Sequence, residues 1–187
     1  MTVSTDTEIT PEQLLKLPDN DAYELVDGKL AERHIGYESS EIAARIIILI
    51  GLFLRDHPQG KVAGSDASFQ CFPDTPKKVR RADVSFIRSG RLPNDKSPKG
   101  HCRIAPDLVV EVVSPGDTAE EVDTKVSEYL VAGVSLIWVV YPSTQTVLVH
   151  RPAGASISGP ARLSASDTIT GEDVLPGFTC LVKNFFE

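Results

Sequence analysis

The chain has 187 residues, 41% hydrophobic and 24% charged, with a formal net charge of −7. That length fits one domain with a full core, the composition excludes a disordered or fibrous class, and the acidic balance argues against binding nucleic acid through overall charge. Cys71, Cys102 and Cys180 are widely spaced with no CxxC, which argues against a disulfide framework or a zinc site and suits a reducing, cytoplasmic setting.

The start, "MTVSTDTEITPEQ", is polar and acidic and lacks the basic and apolar parts of a signal peptide. Within it Thr10-Pro11-Glu12-Gln13 predicts a helix: Thr10 can cap, Pro11 suits the first helical position, and Gln13 can close a capping box. That helix ends near Leu17-Pro18. "AYELVDGKLAERH" predicts a hairpin turning at Asp27-Gly28. "ESSEIAARIIILIGLFLRDH" predicts a long helix, polar at its start and apolar later, buried or at an interface. Its run from Ile46 to Leu54 is nine residues, against about twenty for a membrane span.

"KVAGSD", "ASFQCF" and "RADVSFI" predict short strands, and "RSGRLPNDKSPKGHCRIAP" a long loop. "DLVVEVV" predicts the central strand. "DTAEEVDTKVSEYLVAG" predicts an amphipathic helix with Thr118 and Glu121 as a capping box and Gly133 as its stop. "SLIWVVYP" and "QTVLVHRP" predict two more strands, and "DTITGEDVLPGFTCLVKNFFE" a final strand and a short turn. The strand-helix-strand unit from Leu108 through Val140 predicts a right-handed crossover within a mixed sheet. The organisation is a single domain over residues 1–187 of mixed α/β (α+β) class, with residues 1–20 an N-terminal helical extension and a core from about 21 to 180.

Two acids interrupt apolar strands. Glu111 stands among Leu108, Val109, Val110, Val112 and Val113, and Asp83 among Ala82, Val84, Phe86 and Ile87. A buried carboxylate is costly unless something offsets its charge. If the two strands are neighbours, the acids converge, and hard oxygen ligands of this kind suit Mg²⁺. The alternatives are pairing with nearby arginines or a solvated strand face. Strand alternation puts Asp107, Val109, Glu111 and Val113 on one side and Leu108, Val110 and Val112 on the other. Lys125 lies at the edge of the helix face formed by Val122, Val126, Tyr129 and Leu130. It can extend its stem along the core or pair with Glu121 one turn back.

Residues Lys77 to Arg103 carry nine Lys/Arg against two acids, a basic segment that could hold a phosphate backbone or be a solvated loop. No nucleotide-binding glycine motif, nucleophile elbow or histidine spacing for a metal is present.

"YELVDGKL", "RRADVSFI", "PDLVVEVVSPGDT", "KVSEYLVAGVSLIWVVYP" and "GEDVLPGF" together resemble, in order, the successive blocks of the Uma-two family, a bacterial group of endonuclease-like proteins long classed as a domain of unknown function. The resemblance runs from about Tyr23 to Phe178. It implies the PD-(D/E)XK superfamily, a restriction-endonuclease-like mixed sheet flanked by helices, and phosphodiester cleavage dependent on Mg²⁺ or Mn²⁺. Asp83 would be the first acid and Glu111 the second, both metal ligands, aided by the Val112 carbonyl. The lysine expected two positions after the second acid is replaced by Val113, so Lys125 on the next helix is the catalytic candidate. Ala82 stands where the family has proline. A further acid from the first core helix would be Glu38, with Glu41 as the alternative; Glu24 is acidic too, with an exposed hairpin position as its plainer reading.

The resulting expectation is a cytoplasmic, homodimeric, metal-dependent endonuclease acting on DNA through Lys77 to Arg103, with no membrane partner. A catalytically inactive binding or assembly module of the same fold, pairing through Ile46 to Leu54, is the alternative, and a hydrolase of another phosphate ester a third.

Overall fold

The computed structural model describes residues 8–34, 36–154 and 159–187. Helix α1 (Pro11–Leu14) starts with the predicted box: Thr10 Oγ1 accepts from Gln13 N–H and the Gln13 side chain accepts from Thr10 N–H. Strands β1 (Tyr23–Val26) and β2 (Lys29–Glu32) form the predicted hairpin, with Asp27 and Gly28 both at positive φ as its turn requires. Helix α2 (Tyr37–Asp56) buries Ile42, Ile46 and Ile50 while Ile48 and Leu52 stay outside, so the apolar run is half core and half surface. No described helix is long and apolar enough to cross a membrane.

Six strands make the main sheet: β3 (Gly60–Gly64), β4 (Val84–Arg88), β5 (Leu108–Val112), β6 (Leu136–Tyr141), β7 (Thr146–His150) and β8 (Ala161–Leu163), in spatial order β3-β4-β5-β6-β7-β8. Only β5 and β6 run parallel, because helix α3 (Ala119–Val131) supplies the crossover between them. Gly60 fits β3 against β4 because any Cβ there would stand 2.3 Å from the Ile87 carbonyl oxygen.

The sheet has a core on each face. On one, α2 packs Ile42, Ile46 and Ile50 over Val84, Phe86, Leu108, Val110, Val112 and Trp138. On the other, α3 packs Val122, Val126 and Tyr129 over Val109, Ile137 and Val139. The alternation read along residues 107–113 is the one observed. This mixed α/β sheet with flanking helices is the expected fold class.

Three stretches differ from expectation. "ASFQCF" forms no strand. Phe69 alone bridges to Arg80 on one side and Cys102 on the other. The tail holds two strands, β9 (Thr168–Thr170) and β10 (Thr179–Leu181), paired with each other outside the main sheet. The three-residue edge strand β8 lies in a stretch with no alternating apolar signal to announce it.

Candidate active site

The β4–β5 register pairs Val84 with Val110, and extending it one step sets Asp83 opposite Glu111. There β4 has ended, and the next ladder bond is made by a side chain instead. Val112 N–H donates to Asp83 Oδ2 at 2.7 Å. Asp83 Oδ1 faces Arg33 Nη2 at 3.7 Å. Lys125 Nζ donates to Glu111 Oε2 at 3.3 Å, while Glu121, its other possible partner, caps α3 at Thr118.

The second Glu111 oxygen, Oε1, is buried and has no hydrogen-bond partner among the described residues. Burial pushes the Glu111 carboxyl up to about 8; Lys125 opposes this in part, and repulsion from Asp83 adds to it. Burial also raises Asp83, against the pull of Val112 N–H, Lys125 and Arg33. Attraction to Glu111 holds the Lys125 ammonium above its ordinary range. Glu111 thus senses the charge of Asp83, Asp83 that of Asp117, and the attached cations do not fully offset the cost of burial.

Asp83, Arg33 and His34 line a cleft of about 510 Å³ floored by small residues of α2 and β3. In the first turn of α2 the residue turned inward is Ser39, which accepts from Ser114 Oγ at 2.8 Å. Glu38 is exposed and lines neither this cleft nor the one beside Lys125, and Glu41 pairs with Arg45 at 2.7 Å. Glu24 is not an exposed hairpin residue. It is buried, accepting from Arg80 Nη1 at 2.8 Å and Arg81 N–H at 2.7 Å. His34, Asp117 and Glu121 bring potential ligand atoms within 4.8 Å of one another, although Asp117 also accepts from Ser114 N–H at 2.7 Å. Arg33 and His34 belong to no motif, and Asp117, though inside the block "PDLVVEVVSPGDT", carried no signal of its own; only folding brings the three together.

The basic segment is mostly spoken for. Lys77 pairs with Glu8, Lys78 with Glu128, Arg80 with Glu24 and Glu128, Arg88 and Arg91 with Asp107, and Arg103 with Glu12. Arg81 is buried on carbonyl oxygens. Lys96 and Lys99 are exposed and make no ion pair among the described residues. This narrows the expected phosphate-binding surface from a whole segment to a few positions.

A family model described as "Uma2: Putative restriction endonuclease" matches residues 11–183. The chain belongs to the Uma2 family. No curated protein matches significantly. Among solved structures, a "putative nuclease belonging to DUF820" from Anabaena variabilis ATCC 29413 superposes with a TM-score of 0.77 at 20% identity, covering 95% of this chain and 97% of that one. At that identity the likeness establishes the fold. Membership of Uma2 marks the chain as one of a nuclease-type family.

Proposed function

We propose that this Uma2 protein is a divalent-cation-dependent nuclease that hydrolyses phosphodiester bonds in DNA, with Asp83, Glu111 and Lys125 as its centre. The observation that carries the reading is the unsatisfied Oε1 of Glu111, buried opposite a second raised carboxylate. An orphaned, buried carboxylate oxygen costs free energy that a coordinated cation would offset, and carboxylate oxygens are the donors that Mg²⁺ and Mn²⁺ prefer. The residues therefore fit the ion.

Asp83 and Glu111 would hold it, with Val112 N–H fixing the orientation of Asp83 and the Val112 carbonyl as a further donor. Bound there, the cation would acidify a water and neutralise charge on the scissile phosphate. Lys125, carried on a packed helix, would stabilise negative charge growing on the phosphate oxygens. Arg33 and His34 at the cleft wall would position the backbone without reading sequence. Glu38 would take part only by a rearrangement at the start of α2. The exposed Ile48 and Leu52 offer an apolar strip to a second copy of the chain, consistent with a homodimer.

The test is isothermal calorimetry and a cleavage assay with Mg²⁺ and Mn²⁺. Wild type should bind the ion and cut DNA. Glu111→Gln should lose both while staying folded by circular dichroism. Ion binding that is indifferent to Asp83→Asn and Glu111→Gln would instead support the non-catalytic module.

A further inference from the structure

Beside the cleft lies a second hollow of about 480 Å³, and Ala63, Asp66 and Ala67 form a lip that lines both. One wall is apolar, made by Leu15, Phe69, Ile87 and Leu92, and the other is cationic, made by Lys61, Arg81 and Lys99.

Arg81 is the telling group. It is 2% exposed, yet its guanidinium bonds only to neutral oxygens: Tyr23 O at 3.1 Å, Asn20 O and Oδ1 each at 3.1 Å, and Asp66 O. It makes no ion pair among the described residues, unlike Arg80 beside it, which has two carboxylates. A buried cation that hydrogen-bonds only to neutral oxygens, with the Asp66, Asp21 and Glu24 carboxylates attracting it from longer range, projects positive potential into the space it faces. Lys61 is likewise held by neutral oxygens, the Asp95 carbonyl and Ser97 Oγ, and Lys99 has no carboxylate partner among the described residues. Against these three cations the lining of the hollow sets one carboxylate, Asp66, on the lip.

We propose that this hollow is a subsite for the nucleotide neighbouring the phosphodiester bond at Asp83, with its phosphate on Lys61 and Lys99 in the field of Arg81 and its base against the Phe69–Leu92 wall. A hollow of this size lies within the range of small-ligand pockets, roughly 300–1,000 Å³. A base reaches such a wall only when it is unpaired and unstacked. The subsite therefore selects single-stranded or locally opened nucleic acid. This rests on the nuclease reading, but its test does not depend on cleavage.

The experiment is fluorescence anisotropy in EDTA with a 5′-labelled twelve-nucleotide single strand and the matching duplex. Wild type should bind the single strand more tightly. In the Lys61→Ala/Lys99→Ala variant, both positions being exposed, Kd for the single strand should rise on the order of tenfold, and the slope of log Kd against log salt should fall by about 0.7 for each phosphate no longer neutralised. Ser97→Trp, which fills the hollow from its rim, should weaken single-strand binding without removing charge. Deoxyadenosine monophosphate should compete for wild type only weakly, as a fragment of the polymer; tight competition would assign the hollow to a free nucleotide and overturn the proposal. So would equal Kd values for wild type and the double variant, or a preference for duplex. Wild type that binds but never cleaves would sink the nuclease reading while leaving the subsite standing.

Discussion

Lys125 Nζ lies 3.3 Å from Glu111 Oε2, joining helix α3 to strand β5 across fourteen residues of chain. The ammonium reaches the second acid from the crossover helix, whereas Val113, two places along the strand, packs at the edge of the α3-side core.

If that lysine serves chemistry, Lys125→Met should lower kcat on the order of 10²–10³-fold with KM little changed, as for loss of a group that stabilises charge in the transition state. Steady-state kinetics on an oligonucleotide at saturating Mg²⁺ checks this. An unchanged kcat would reduce the interaction to an ion pair that only supports the fold.

The raised Glu111 carboxyl gives a pH signature with a definite sign. Its folded value, about 8, stands above the ordinary carboxylate value of 4.5, so between those limits the folded state binds more protons than the unfolded chain and stability falls as pH rises. Glu111→Gln removes this liability, so its melting temperature relative to wild type should climb from pH 5 to pH 9 in scanning calorimetry without metal. Cation affinity should follow the opposite course in wild type, strengthening toward pH 8 as the competing proton leaves. A flat difference in melting temperature would contradict the assigned shift.

A third expectation concerns the support beneath the site. Arg80 bonds Glu24 at 2.8 Å and Glu128 at 2.7 Å, and Lys78 also pairs with Glu128. Arg80→Met would strand the buried Glu24 carboxylate, a loss of about 3–5 kcal/mol when one partner of a buried pair is removed. Urea denaturation monitored at Trp138 measures it. A Met/Gln double replacement of Arg80 and Glu24 should recover part of the loss, since no unpaired carboxylate remains at position 24.

Much of this was legible along the chain. Helix α3 announced itself by Thr118, Glu121 and its spaced apolar face, and β5 by its unbroken apolar run, because capping and periodicity are local. The acids at 83 and 111 stood out for the same reason, as charges where local pattern demands apolar residues. The short pieces did not, β8 and β10 among them, since three residues hold too little pattern and their pairing is decided by distant partners.

The sequence alone therefore determined most of the element types, the two faces of β5, the packed face of α3 and the pair of misplaced acids, all consequences of spacing and of the cost of burying charge. Only the tertiary structure decided what surrounds those acids. It set Asp83 opposite Glu111, brought Lys125 to Glu111 rather than to Glu121, turned Ser39 rather than Glu38 inward, and consumed most of the basic segment in ion pairs. Each joins residues far apart in the chain, and a charge's partner is fixed by distance in space, which the packing of the sheet and its helices creates.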